Sequence, residues 1–284
     1  MENILEVKNL DKAFNDFKLD NVSFQLKKGY IMGFIGPNGA GKSTTIKLIM
    51  NLIKRDNGMI KVFGKDNIED EKAIKEKIGF VYDEVNFYEY LKLKEIKSIV
   101  APFYKSWDDK LFKEYMRNFS LNENKKLKEL SKGMKMKFSL ALALSHDADL
   151  IIMDEPTSGL DPVFRREILD LLQGIIQDEN KSIFFSTHIT SDLERIADYI
   201  TFLNKGKVVF SESKDYIMEN YAVVKGDNNL LEGDNKNLFI GVDRNSFGFE
   251  ALTDNKNLVR ETLGKKVIIE KPTLDDIMVY MNKR

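Results

Sequence analysis

Gly36-Pro37-Asn38-Gly39-Ala40-Gly41-Lys42-Ser43-Thr44 fits the spacing G-x-x-x-x-G-K-[ST]. Glycines let successive backbone N–H groups turn inward around phosphate oxygens. A helix starting at the end of such a loop adds a favourable field for negative charge. Lys42 can reach the β- and γ-phosphates of a nucleotide, and the Ser43 hydroxyl can ligate Mg²⁺. Leu150-Ile151-Ile152-Met153-Asp154-Glu155 is an apolar run that ends in two carboxylates. A buried strand delivers such tip residues to the sheet edge where nucleotide sites form. There Asp154 would hold the Mg²⁺, directly or through water, and Glu155 would polarise an attacking water.

Two further places carry weaker signals. His188 follows the apolar run Ile183 to Phe185 and the pair Ser186-Thr187. It can donate a hydrogen bond to a γ-phosphate, or be a half-buried loop histidine. The other histidine, His146, sits at a helix end and reads as structural. Leu130-Ser131-Lys132-Gly133-Met134 opens a helix rich in Lys and Ala. Taken alone it reads first as a capped helix start. It also offers a hydroxyl and free N–H groups to an anion.

These residues need elements to hold them. Ile4 to Val7, Val22 to Leu26, Tyr30 to Ile35, Met59 to Phe63 and Ile78 to Tyr82 read as strands, rich in Ile, Val and Phe. Tyr30 to Ile35 runs straight into the Gly-rich loop, and Ser43 to Leu52 then shows helical spacing of Ile46, Ile49, Met50 and Ile53. From about 85 to 145 strand signals vanish and lysines mix with aromatics at helical spacing, which predicts an inserted helical subdomain. Strands return at Leu150 to Met153, Ser182 to Phe185, Tyr199 to Leu203 and Lys207 to Phe210. With helices between them, this is an α/β pattern with parallel strands. After about residue 212 the pattern weakens into a small appendage. Gly226 to Lys236 reads as a loop, Leu238 to Val242 and Val267 to Ile269 as short strands, and Thr273 as the cap of a last helix, with Asp276 three residues on.

Composition narrows the options. The chain has 284 residues, 44 Lys+Arg against 45 Asp+Glu, and no cysteine. Near-zero net charge argues against a nucleic-acid partner. The lack of cysteine excludes disulfides, thiolate metal sites and cysteine nucleophiles. No stretch approaches the ~20 apolar residues that span a bilayer. The start MENILEVKNL is not a secretory signal, so a cytoplasmic protein is expected.

The order and spacing of these pieces resembles the ATPase subunit of an ATP-binding cassette (ABC) transporter over about residues 1 to 215. Gly36 to Thr44 is similar to the family's Walker A motif, and Leu150 to Glu155 to its Walker B. Leu130 to Met134 is similar to the signature, Ser158-Gly159-Leu160-Asp161 to the D-loop, and His188 to the switch histidine. Phe14 stands where the family places an aromatic that stacks on adenine. Two departures stand out. The signature usually reads Leu-Ser-Gly-Gly-Gln, and Lys132 and Met134 replace Gly and Gln. The Q-loop glutamine is replaced by Asp83, followed by Glu84. A carboxylate there can still meet Mg²⁺ or its water, but it adds negative charge near the triphosphate.

The resemblance implies a P-loop NTPase core with an N-terminal antiparallel β subdomain, the helical insertion and a C-terminal α+β appendage at 216–284. It implies ATP and Mg²⁺ as cofactors. The nucleotide contacts would be Phe14, Asn38, Gly39, Ala40, Gly41, Lys42, Ser43, Thr44, Ser131, Gly133 and Asp161. Ser43, Asp83 and Asp154 would serve the metal, and Glu155, His188 and Lys42 the chemistry. It further implies a head-to-tail homodimer or heterodimer, with each γ-phosphate between one chain's Lys42 and the other's Ser131 and Gly133. A separate transmembrane permease subunit of exporter type would place the chain at the cytoplasmic face of the cell membrane. Val85 to Tyr90 would offer aromatics to that subunit, or to the helical subdomain's own core. The alternatives are a non-transport ABC protein, an ATP-sensing adaptor with weak hydrolysis, and a P-loop kinase, which would leave the signature and D-loop segments without purpose.

Overall fold

The computed structural model describes residues 2–83 and 87–282. The chain divides into two compact units, Met1–Ser211 and Glu212–Arg284. A boundary at 215/216 would cut the first turn of the helix Lys214–Asn220, whose N-cap Ser213 accepts from the Tyr216 N–H at 3.2 Å.

The first unit begins with an antiparallel sheet. Its strands are β1 (Asn3–Ala13), β2 (Lys18–Lys27), β4 (Asn57–Val62) and the two-residue β5 (Lys65–Asp66), ordered β2-β1-β4-β5. β3 (Ile31–Ile35) leaves it for a second sheet with β6 (Ile78–Val81), β7 (Leu150–Asp154), β8 (Ser182–Thr187), β9 (Tyr199–Asn204) and β10 (Lys207–Ser213). The order there is β10-β9-β3-β8-β7-β6. The pairs β9-β3, β3-β8, β8-β7 and β7-β6 are parallel. Every residue of β3, β7 and β8 is buried. That is why these strands read as continuous apolar runs rather than alternating ones. Phe24 of β2 joins the two sheets, with its ring 5.2 Å from Phe34 of β3 and 5.6 Å from Phe184 of β8.

Register places the chemistry. Ile35 pairs with Thr187, and Asp154 with Ser186. The parallel strands therefore end together, and the next residues, Gly36, His188 and Glu155, emerge at one edge of the sheet. Helix α1 (Lys42–Ile49) follows β3, and the short α2 (Glu71–Lys75) precedes β6.

The helical subdomain holds α3 (Leu93–Val100), α4 (Asp109–Asn118) and α5 (Lys132–Leu144). Asp108 caps α4 by accepting from the Lys110 and Leu111 N–H groups. Phe112 and Met116 of α4, four apart, pack with Leu93 and Ile96 of α3 and Phe138 of α5. Each such buried side chain contributes about 1.5–3 kcal/mol. Phe87 packs against this cluster, whereas Tyr88 and Tyr90 are exposed. Val85 and Asn86 of the expected aromatic segment, and Glu84, lie outside the described residues. His146 is buried, stacked on Tyr104 at 3.7 Å between centroids, and its Nε2 lies 3.1 Å from the Ile78 carbonyl. Two helices complete the unit, α6 (Pro162–Ile175) after β7 and α7 (Thr190–Ile196) after β8.

The second unit holds α8 (Lys214–Asn220), β11 (Ala222–Gly226), β12 (Gly241–Asn245), β13 (Gly248–Thr253), α9 (Lys256–Leu263), β14 (Val267–Glu270) and α10 (Leu274–Met281). Its antiparallel sheet runs β12-β13-β11-β14 over a small core that includes Val224, Phe249 and Val259. The strand expected at Leu238 to Val242 begins later, at Gly241, because Gly233–Leu238 coils into a 3-10 turn. The expected loop from Gly226 also carries a 3-10 turn, Asn228–Leu231. Thr273 caps α10, accepting from the Asp276 N–H at 3.1 Å while its own N–H donates to Asp276 at 2.8 Å. Among the described residues no helix is long and apolar enough to cross a membrane.

Candidate active site

β3 ends at Ile35 and the chain turns at Gly36. A Cβ at Gly36 would stand 2.2 Å from the Leu203 carbonyl oxygen of β9, so only glycine lets the loop lie this close to the sheet. Gly39 and Gly41 have φ of 79° and 109°, a region that side-chain-bearing residues rarely adopt. Gly41 is the N-cap of α1. Lys42, the first helical residue, is only 6% exposed. Its ammonium donates to the Gly36 carbonyl at 2.8 Å and lies 3.3 Å from Glu155 Oε1.

β7 brings Asp154 beneath this loop. The Ser186 hydroxyl of β8 donates to Asp154 Oδ1 at 2.6 Å. Burial pushes the Asp154 carboxyl above the ordinary carboxylate range. Hydrogen bonds from Ser186 and Ser43 oppose that rise, while the nearby negative charges of Asp83 and Glu155 reinforce it. A buried carboxylate beside a serine hydroxyl, under the charge of two other carboxylates, is a setting that a divalent cation relieves. Among the described residues no group of three or more His, Asp or Glu side chains is arranged to hold a metal. The Ser43–Asp154 pair therefore fits a cation that arrives with other oxygen ligands, as Mg²⁺ does on a triphosphate.

Glu155 turns out of the strand with φ 50°, left-handed for a residue with a side chain. Such a conformation costs of order 1–3 kcal/mol and persists only where neighbours enforce it. The Glu155 N–H donates to the Ser186 hydroxyl at 3.0 Å and to its carbonyl at 3.2 Å. The side chain then points across the loop. His188 Nδ1 donates to Glu155 Oε2 at 2.7 Å, since a carboxylate can only accept. This leaves His188 Nε2 for a ligand.

The cleft has a volume of about 670 Å³. Asn38, Gly39, Gly41, Lys42, Ser43, Thr44, Asp83, Glu155 and His188 line it. Three residues that sequence reasoning did not place in the site, Asp16, Phe17 and Ser158, line it as well. Phe17 follows Phe14 in the same loop, and the two rings are 6.5 Å apart. Phe14 itself is exposed and is not among the lining residues. Ala40 is buried, with its carbonyl accepting from the Gly206 N–H at 3.1 Å. Ser186 was also missed. Its signal was a polar residue closing an apolar strand.

The remaining predicted contacts lie outside the cleft. Ser131 caps α5 by accepting from the Met134 N–H at 3.3 Å, and Ser131 and Lys132 are exposed. Gly133 is buried, and a Cβ there would meet the Phe164 ring of α6 at 2.7 Å. Asp161 caps α6, accepting from the Val163 and Phe164 N–H groups at 3.0 and 3.2 Å.

A glycine-rich turn between a buried parallel strand and a helix, with a lysine, a buried aspartate and a glutamate–histidine pair on one sheet edge, defines a P-loop nucleoside-triphosphatase. The family model described as ABC transporter matches residues 19–158. The chain is 35% identical over 212 residues to the bacitracin transport ATP-binding protein BcrA of Bacillus licheniformis, covering 74% of this chain and 69% of that protein. It is 31% identical over 214 residues to the lantibiotic transport ATP-binding protein SrtF of Streptococcus pyogenes, covering 75% and 92%. A dimeric post-hydrolysis ATP-binding cassette solved with ADP and phosphate superposes with a TM-score of 0.65 at 26% identity, covering 74% of this chain and 98% of that one. The chain belongs to the ABC transporter family and is an ATP-binding, ATP-hydrolysing subunit.

Proposed function

We propose that two such subunits clasp ATP between them and so drive a separate transmembrane permease subunit from the cytoplasmic face of the cell membrane. The carrying observation is the division of the phosphate-binding groups. Lys42, Glu155 and His188 converge in one cleft, while the Ser131 turn lies outside it on the same chain. A triphosphate carries about four negative charges, and one loop and one lysine leave part of that charge open. The Ser131–Gly133 helix start of a second chain would close the open side. Either a homodimer or a heterodimer meets this need.

Within the site, the loop N–H groups and Lys42 would hold the phosphates, and Phe14 would stack on the adenine. Ser43, Asp154 and Asp83 would hold Mg²⁺, which supplies charge neutralisation at the phosphates. Glu155 would accept a proton from the attacking water, with its carboxylate aimed by Lys42 and His188. His188 Nε2 would face the γ-phosphate, and Asp161 would set the D-loop at the subunit seam. The relatives' involvement in bacitracin and lantibiotic transport supports export of antimicrobial peptides as the work driven.

Glu155→Gln keeps the side chain's shape but removes its basicity. The variant should bind Mg·ATP, turn over at least ~10²-fold more slowly, and accumulate as an ATP-bound dimer by light scattering. Turnover at the normal rate would remove Glu155 from this role.

A further inference from the structure

We propose that Asp192 is a positioning residue for hydrolysis, acting on Glu155 and His188 through Thr157 and Arg165; this rests on the roles assigned above to those two residues. Asp192 lies in α7, and its side chain is fully buried. The Thr157 hydroxyl donates to its Oδ2 at 2.5 Å. Arg165 Nε of α6 donates to its Oδ1 at 2.5 Å, and the same guanidinium donates to the Ser191 hydroxyl at 2.6 Å. Neither Thr157 nor Asp192 lines the cleft.

The placement in the chain gives these bonds their meaning. Thr157 follows Glu155 by two residues, and α7 begins two residues after His188. The 2.7 Å contact between Glu155 and His188 therefore joins the same two segments that the Thr157–Asp192 bond joins from behind. Arg165 adds α6, whose first turn is capped by Asp161. One buried carboxylate thus locks the exit of β7, the start of α6 and the start of α7. A fully buried charge needs all its partners. Losing one lets the three segments shift, and sub-ångström misplacement of a base costs rate rather than affinity.

The test separates positioning from stability. Thr157→Val removes only the hydroxyl, and Thr157→Ser restores it. Asp192→Asn can still accept from Thr157 but loses the charge that holds Arg165. Steady-state ATPase kinetics and ATP binding by calorimetry are measured on the full chain, with Glu155→Gln as control. In Thr157→Val and Asp192→Asn kcat should fall about tenfold or more, with ATP affinity within about threefold and Thr157→Ser near the parent rate. Normal kcat in folded Thr157→Val overturns it. So does equal loss of kcat and affinity in both Thr157 variants, which marks a purely structural bond. Should Asp192→Asn fail to fold, the Thr157 pair decides alone. An active Glu155→Gln would instead sink the assignment of the base, whatever Asp192 does.

Discussion

Asp154 carries the clearest electrostatic signature of the site. Burial raises its carboxyl above the ordinary value of 3.8. The folded state then binds this proton more tightly than the unfolded chain. Its contribution to stability is full below pH 3.8 and is lost as pH rises through the raised folded value. At neutral pH the site holds a desolvated anion at a cost. Asp154→Asn should therefore raise the melting temperature of the ligand-free protein at pH 7, by about 2–4 °C per kcal/mol relieved. The gain should shrink as pH falls toward 4, and stabilisation by Mg·ATP should be lost. Calorimetric scans across pH check this, and a lower melting temperature at pH 7 would contradict it. At this scale the sequence was most legible where the chemistry is local. The loop from Gly36 to Thr44 and the pair Asp154-Glu155 are contiguous and announce themselves. Ser186 and Asp192 act across the sheet, from other strands and helices, so no spacing in the chain points to them.

Elements hold these side chains through close approaches that glycine permits. A Cβ on Gly79 of β6 would lie 2.6 Å from the Ala143 carbonyl near the end of α5. That helix begins at the Ser131 turn. Gly79→Ala should push α5 off the sheet and destabilise the first unit by about 1–3 kcal/mol. Thermal unfolding checks it, and an unchanged transition would show that the helix can yield at no cost. The aromatic segment divides in the same way. Phe87 packs in the helical subdomain, while Tyr90 is 72% exposed with the Lys128 ammonium 4.5 Å from its ring centroid. We propose that the exposed Tyr88 and Tyr90, rather than Phe87, face the permease subunit. Their double alanine variant should lose membrane-subunit capture at an unchanged melting temperature, whereas Phe87→Ala should melt earlier. Normal capture by the double variant would remove this surface from the interface. Core strands were legible as unbroken apolar runs. β11 and β13 were not foreseen, because Ala222–Gly226 and Gly248–Thr253 mix polar and apolar residues beside Gly-rich turns, and only their pairing in the small sheet makes them strands.

For the whole molecule, hydrolysis is proposed to be the property of a pair. One chain would supply Lys42, Glu155 and His188, and its partner the exposed Ser131 turn. Two single variants break the two halves separately. Lys42→Ala should lose phosphate binding in its own cleft, and Ser131→Arg should block the seam it offers to a partner. Each alone should be inactive as a homodimer, because every seam then carries one defect. The direct measurement is ATPase activity after mixing the two inactive proteins, with differently tagged chains used to confirm that mixed pairs form. In every mixed pair one seam joins an intact Lys42 to an intact Ser131, so activity should return. A mixture that pairs yet stays inactive, or a Ser131→Arg variant that hydrolyses ATP at the parent rate, would contradict the account.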